Sequence, residues 1–285
     1  MMRSYFGVTG FMSQSEMVAL NELLSRKIGE TTIREKIKSL NKKVMIGVLV
    51  NKNTLMGFLP SNPSRYPLIE DAKSIFISDD LFLNAVHYNS DDWRMLSQQL
   101  CKIAETFENL NAIQLNLAWP DSEHIIRFRD QFPNIEIILQ VGSSAFYEVG
   151  NSPRSLYARL EEYSKCINHV LFDMSGGGGK LIDVNNELIK IVVDLHAKFP
   201  QMSIGIAGGL CSSALLGEQY QTKEPDGTTK SQVGDGINRL TECLSSSESD
   251  LSRLSLDAEA KLRIDDALYL PEVIKYLIAS IATFS

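Results

Sequence analysis

The chain has 285 residues, 44% hydrophobic and 22% charged, the composition of an ordinary soluble globular protein long enough to bury a sizeable core. A formal net charge of −7 argues against a nucleic-acid partner, because a surface that tracks phosphates needs clustered Lys and Arg. No stretch approaches the ~18 uncharged apolar residues of a membrane span, and the apolar run in "MMRSYFGVTGF" is too short for a signal peptide, so a cytoplasmic location is expected.

Short runs rich in Val, Ile and Leu alternate with longer stretches of helical spacing, the mark of βα units on a parallel sheet. The first strand is "SYFGVTGF" (4–11), followed by a helix, "SQSEMVALNELLSRKI", that Ser13 caps. "KIKSLNKK" reads as the solvated end of a helix, "VMIGVLV" (44–50) as the second strand, and "LIEDAKSI" as a weak helix. Strand three is "LNAVHYN" (83–89), leading into "SDDWRMLSQQLCKIAETFENL" with Ser90 as its cap. Strand four is "NAIQLNLAW" (111–119), leading into "DSEHIIRFRDQF", capped by Asp121 and with its charges on a solvated face. Strands five to seven are 135–142, 169–175 and 203–209, with "SPRSLYARLEEYSKC" and "NNELIKIVVDLHAKF" as the helices between them. Residues 217–250 then form a polar insertion, whose 221–238 stretch is too polar to fold on its own and whose "RLTECL" forms a short helix. The eighth strand is 253–259, and "LPEVIKYLIASIATF" is the last helix.

Eight such units in this length predict a single-domain (β/α)8 TIM barrel over residues 1–285, with an open doubly wound sheet as the alternative. Functional residues of such a barrel sit just after the strands, at the C-terminal mouth. That ring would hold Thr9, Phe11, Asn51, His87, Tyr88, Asn89, Asn116, Trp119, Asp121, Gln140, Asp173, Gly208, Gly209, Asp257 and Glu259. Amides, carboxylates, aromatic faces and one imidazole suit a polar, ring-bearing ligand. Each also has a plainer role available. His87 is a buried strand-end histidine, Asp173 a turn cap or a partner for Lys180, and Trp119 a cover for the rim.

The stretch "HVLFDMSGGGGKLID" (169–183) places Asp173 before four glycines, Gly176, Gly177, Gly178 and Gly179. It is not a Walker loop, because Leu181 follows the lysine, and it opens no immediate helix as a dinucleotide fingerprint would. Either it is a flexible lid or its backbone N–H groups close on an anion. A second pair, Gly208 and Gly209 in "IAGGLCS", leaves strand seven and leads into a helix whose N-terminus is expected to favour phosphate.

These motifs, in this order, resemble those of the phosphoribosylanthranilate isomerases, members of the ribulose-phosphate-binding barrels. "YFGVTGF", "SNPSRYPLIEDA", "IQLNLAWPD", "FDMSGGGGKLID", "IAGGLCS" and "LDAEAKLR" are similar to the family elements after strands one, two, four, six, seven and eight. The resemblance implies a phosphorylated sugar or nucleotide-like small molecule as substrate. It implies Asp173 as general acid, Arg65 on a substrate carboxylate, Asp257 near an amine, and the two glycine runs on the phosphate. The position nearest the family's catalytic cysteine is Val8, and the strand-eight phosphate turn becomes "AEAK", with Glu259 and Lys261. The isomerase reaction itself is therefore not expected. The expected chemistry is isomerisation, epimerisation, or lyase or hydrolase cleavage at a sugar carbon.

The catalytic candidates are Asp173, Asp257 and His87, and the substrate-binding candidates are Arg65, Asn116, Trp119, Asp121, Gln140, Glu259 and Lys261. A barrel that has lost catalysis and binds a phosphorylated metabolite as a sensor is the other reading. No cofactor is expected, and no metal, since Cys101, Cys166, Cys211 and Cys243 are scattered without metal spacing. A homodimer is compatible with this reading.

Overall fold

The computed structural model describes residues 4–173, 175, 180–181, 186–223, 226–233 and 253–285. The eight expected strands are all present: β1 (Tyr5–Thr9), β2 (Lys43–Asn51), β3 (Phe82–Asn89), β4 (Ala112–Leu115), β5 (Glu136–Gly142), β6 (His169–Asp173), β7 (Ser203–Ala207) and β8 (Leu254–Ala258). They pair in parallel, each with its sequence neighbour, and β8 returns to β1 in the register Phe6↔Leu256, so the sheet closes. This is a single-domain (β/α)8 barrel.

Helices α1 (Gln14–Leu23), α2 (Ile33–Ser39), α3 (Lys52–Leu55), α4 (Ile69–Ala72), α5 (Leu96–Thr106), α6 (Ser122–Gln131), α7 (Ser143–Glu148), α8 (Pro153–Tyr163), α9 (Asn186–Lys198), α10 (Ser212–Leu216) and α11 (Leu270–Phe284) lie between and after the strands. Ser13 starts α1 through a capping box with Glu16, and Asp121 caps α6 by accepting from the Glu123 N–H. Ser90 does not cap α5: its hydroxyl accepts from the Asp92 N–H, and a 3-10 turn at Trp93–Met95 intervenes before the helix.

Two other expectations need correcting. β4 ends at Leu115 rather than at Trp119, whose φ of 43° turns the chain away from the barrel before Pro120. Within the 221–238 stretch, the described residues 221–223 and 226–233 are ordered despite their polarity. Gln219–Lys223 pairs antiparallel with Thr229–Val233. An Asp226-Gly227 turn joins them: Asp226 accepts from the Thr228 N–H and hydroxyl, and Gly227 takes φ +83°. A five-residue connection containing Gly is itself a hairpin signal, and it outweighs composition here. "RLTECL" and Cys243 lie outside the described residues.

The alternation of strand side chains builds two cores. Phe6 and Val8 belong to the large cluster between sheet and helices, whereas Tyr5, Met45, Leu83, Ala85, Ala112, Ile138, Leu171 and Ala207 fill the barrel itself. Under that plug, His169 Nε2 lies 2.6 Å from Glu136 Oε2, and Ser255 Oγ accepts from the Tyr5 N–H.

Closure is fastened at this lower end by Lys42, which is 2% exposed. Its ammonium donates to Ser4 Oγ at 2.8 Å and to the Leu254 carbonyl at 2.7 Å, and it stands 4.3 Å from the centre of the Phe284 ring. The one side chain thereby ties the segments before β1 and at the start of β8 to the last helix. Lys42→Ala removes the stem and leaves buried acceptors unpaired, so it should cost about 2–4 kcal/mol in urea denaturation. An unchanged midpoint would refute this role.

Candidate functional site

Because the interior plug stops short of the upper strand ends, a cavity of about 510 Å3 opens at the mouth. His87, Asn89, Gln114, Asn116, Gln140, Asp173, Gly208, Gly209, Asp257, Glu259 and Arg65 all line it. They come from the ends of seven different elements, which only a closed barrel brings together. Leu49 and Leu171 form the apolar part of the lining.

Strand register explains who meets whom. Asp173 pairs with Ala207, which in turn pairs with Asp257, so the two carboxylates occupy one rung with only a methyl between them. Two strand spacings separate their backbones by roughly 10 Å, enough for a ligand to reach both.

The two stand in opposite surroundings. Asp173 accepts three hydrogen bonds, from Gln140 Nε2 at 3.1 Å, from the Ser175 N–H at 3.1 Å and from the Ser175 hydroxyl at 2.6 Å. Gln140 is itself oriented, its Oε1 accepting from Gln114 Nε2 at 3.1 Å. Asp257 is 6% exposed and accepts from Thr9 Oγ1 at 3.1 Å. Burial, with the Glu259 and Asp173 charges adding to it, pushes the Asp257 carboxyl well above the usual carboxylate range.

His87 is equally enclosed. Burial lowers its imidazole to about 3, so the ring is neutral throughout the physiological range. Its Nε2 lies 3.4 Å from the same Thr9 hydroxyl. Glu259 pairs with Arg65 at 2.5 Å. Burial raises the Glu259 carboxyl while the Arg65 and Arg263 guanidinium groups pull it back. Arg263 donates to the Gly10 carbonyl from behind, tying the loop after β8 to the one after β1.

Room for this cluster comes from missing side chains. A Cβ on Gly47 would fall 2.5 Å from Thr9 Oγ1 and 2.8 Å from His87 Nε2, and one on Gly7 would meet the Asp257 carboxylate. Gly209, at φ +62°, is crowded from outside the barrel: a Cβ there would lie 2.5 Å from the Leu181 nitrogen. The end of the glycine-rich loop therefore packs on the turn after β7, as the sequence order suggested. Gly176, Gly177, Gly178 and Gly179 lie outside the described residues.

Several expected residues stand elsewhere. Trp119 is 8% exposed in a separate cleft with Asp121, Arg159 and Tyr163, its indole donating to the Ala145 carbonyl at 2.7 Å. Asp121 is occupied as the α6 cap. Lys261 donates to the Gln221 carbonyl of the hairpin and lies over the Tyr220 ring. Phe11 packs among the helices, Tyr88 donates to Gln99 on α5, and Asn51 caps α3. The helix after β7 has five residues, and Glu272 accepts from the Ser212 N–H and hydroxyl at its start. A carboxylate thus sits where an anion was expected. Sequence reading left Gln114, Tyr66, Ser143 and Ser144 out of the ring, and kept Thr9 in the ring but out of the catalytic and binding candidates. Strict alternation from Ile138 through Gln140 to Gly142 and from Ala112 through Gln114 to Asn116 would have flagged the glutamine pair.

No protein-family model matches the chain, and no curated protein sequence matches it. Among solved structures the fold is similar to phosphoribosylanthranilate isomerase in complex with reduced 1-(o-carboxyphenylamino)-1-deoxyribulose 5-phosphate, at 11% identity and a TM-score of 0.53 over 99% of this chain and all of that one. It is also similar to the same enzyme from Thermotoga maritima, at 13% identity and a TM-score of 0.52 over 99% of this chain and 100% of that one. A third similar structure is tryptophan synthase subunit alpha from Legionella pneumophila, at 6% identity and a TM-score of 0.52, covering 99% and 92% of the two chains. At such identities the likeness establishes the fold, a closed (β/α)8 barrel.

Gly47→Ala should cost about 1–3 kcal/mol, because the new methyl displaces Thr9 and His87 from a filled interior; chemical denaturation measures it. A second outcome follows from the raised carboxyl. The folded state holds the Asp257 proton more tightly than the unfolded chain, so this group makes stability fall as pH rises above about 4. Asp257→Asn keeps the neutral shape, and its melting temperature should gain on the wild type from pH 4 to pH 8. A gain that shrinks over that range would show that Asp257 is not a buried, proton-retaining acid.

Proposed function

We propose that the protein is an enzyme that moves protons on a small polar metabolite, a phosphorylated sugar or a nucleotide-like compound, at the barrel mouth. The observation that carries this reading is the single rung bearing Asp173 and Asp257 in opposite surroundings. A buried carboxyl raised well above the usual range can supply an acid beside a second carboxylate that serves as base.

Asp173, held by three donors, accepts a proton from a carbon next to the ligand's carbonyl or hemiacetal. Asp257, which retains its proton, delivers one to the oxygen on which charge develops. Gln114, Gln140, Asn89 and Asn116 orient hydroxyls, and Arg65, released from Glu259 or shared with it, meets an anionic substituent. That β1 offers Gly7 and Thr9 to the interior, with Val8 turned to the helix layer, supports giving the base role to Asp173 rather than to a group on the first strand.

The neighbouring fold captured with a ribulose 5-phosphate derivative supports a sugar phosphate as the ligand class. Among the described residues lining the cavity, Arg65 is the only Lys or Arg, set against Asp173, Asp257 and Glu259. The hydroxyl-bearing part of the ligand faces the carboxylates, and its phosphate lies at the rim by Arg65.

Ribose 5-phosphate, ribose and inorganic phosphate titrated against melting temperature test the ligand class. The sugar phosphate should stabilise by several degrees, more than either part alone, and no shift with any of the three would sink the proposal. With a substrate in hand, Asp173→Asn should lower kcat about 10²–10⁴-fold with little change in binding.

A further inference from the structure

Asp257, Thr9 and His87 are each at most 6% exposed and meet at one hydroxyl. Thr9 Oγ1 lies 3.1 Å from Asp257 Oδ1 and 3.4 Å from His87 Nε2, across three strands, β8, β1 and β3. The two glycines described above keep other atoms out of that space. A hydroxyl has one proton to donate, so it serves one neighbour as donor and must accept from the other. The direction of the whole chain is therefore set at either end.

We propose that Asp257, Thr9 and His87 form a buried proton relay in which the protonation of Asp257 dictates the tautomer of His87. With Asp257 protonated, its O–H donates to Thr9, Thr9 donates to an unprotonated Nε2, and the imidazole carries its proton on Nδ1. With Asp257 ionised, Thr9 turns to the carboxylate, and Nε2 must carry a proton to donate to Thr9. Between these states one proton passes from Oδ1 through the hydroxyl to Nε2, while the ring, which lines the cavity, sheds another from Nδ1. Two O–H bonds and one N–H bond break, and one O–H and one N–H form. One proton is lost overall, and no atom changes oxidation state.

The relay rests on the proposed use of Asp257 as the proton-delivering group and extends it. An acid that has discharged its proton can be refilled through Thr9, from a face of the ligand that Asp257 does not touch. Thr9 acts here as a positioning residue. Other groups set the pH at which the exchange happens. Glu259 follows Asp257 along the chain, Asp173 stands on the same rung, and the hydroxyls of Tyr5 on β1 and Tyr276 on α11 are coupled to Asp257 from the far side. Arg65 faces the cavity from the loop after β2.

Ring-nitrogen NMR of the ligand-free protein tests the relay without any substrate, so its failure is separable from failure of the proposed function. The neutral tautomers and the imidazolium have distinct 15N shifts. His87 is picked out from the chain's four histidines by the signals lost in His87→Gln. As pH rises through the Asp257 transition, the His87 ring should pass from Nδ1–H to Nε2–H without forming the cation. In Thr9→Val the tautomer should stop responding to pH, and in Thr9→Ser, which keeps the hydroxyl and folds around a smaller side chain, the response should persist. An imidazolium near pH 6, a wild-type tautomer that ignores pH, or a Thr9→Val protein that still switches would each overturn the relay.

Discussion

The structure depends on how much volume the barrel interior leaves unfilled. Eight strands wound into a closed sheet present inward side chains in rungs, and the lower rungs are filled by Tyr5, Met45, Leu83, Ile138 and Leu171. Above them, glycines on β1 and β2 surrender space that Asp257, Thr9 and His87 occupy. The plug below therefore removes solvent from the cluster, while the glycines beside it give the polar groups somewhere to be. Desolvation drives both the upward shift of the acid and the downward shift of the imidazole. Filling the glycine positions would push a methyl group against Thr9, His87 and the Asp257 carboxylate.

The same constraint divides the mouth electrostatically. On the β4–β6 side, amides from Gln114 and Gln140 pass hydrogen bonds along to Asp173. Toward β8 and β1, Asp257 accepts from the Thr9 hydroxyl, with no amide side chain beside it among the described hydrogen bonds. Arg65 and Glu259 close the rim between them as a pair, with Arg263 anchored behind on the Gly10 carbonyl. Carboxylates outnumber cations in the described lining. Negative charge thus concentrates at the centre of the mouth, and the one basic residue of the described lining stands at its edge.

The strands were legible in the sequence because each is a short, nearly continuous apolar run, buried on both faces by barrel and helices. The last helix was readable to the residue at 270–284, where Pro271 enters the first turn and apolar spacing persists to Phe284. What local pattern could not reveal is direction. Tyr88 and His87 are adjacent and similar in sequence terms, yet one bonds to a helix and the other faces the cavity. Trp119 and Asp121 follow a strand end and were expected in the ring, but β4 ends four residues before its apolar run does and releases them to the outside. The Glu272 carboxylate at the start of α10 lies 60 residues from its partner, and no local pattern announces such a contact.

The bond between Thr9 and Asp257 joins residues 248 apart, and the Tyr5–Ser255 contact beneath it spans 250. The first strand therefore emerges during synthesis with its inward face uncovered, and the last strand arrives after nearly all the rest of the chain. Until that strand docks, Thr9 lacks the carboxylate neighbour and Lys42 lacks the Leu254 carbonyl. Closing so long a loop is entropically unfavourable, and only the completed sheet offsets it. The Thr9–Asp257 side of the mouth thus comes into being with the final seam of the barrel, and a chain clipped before β8 lacks it.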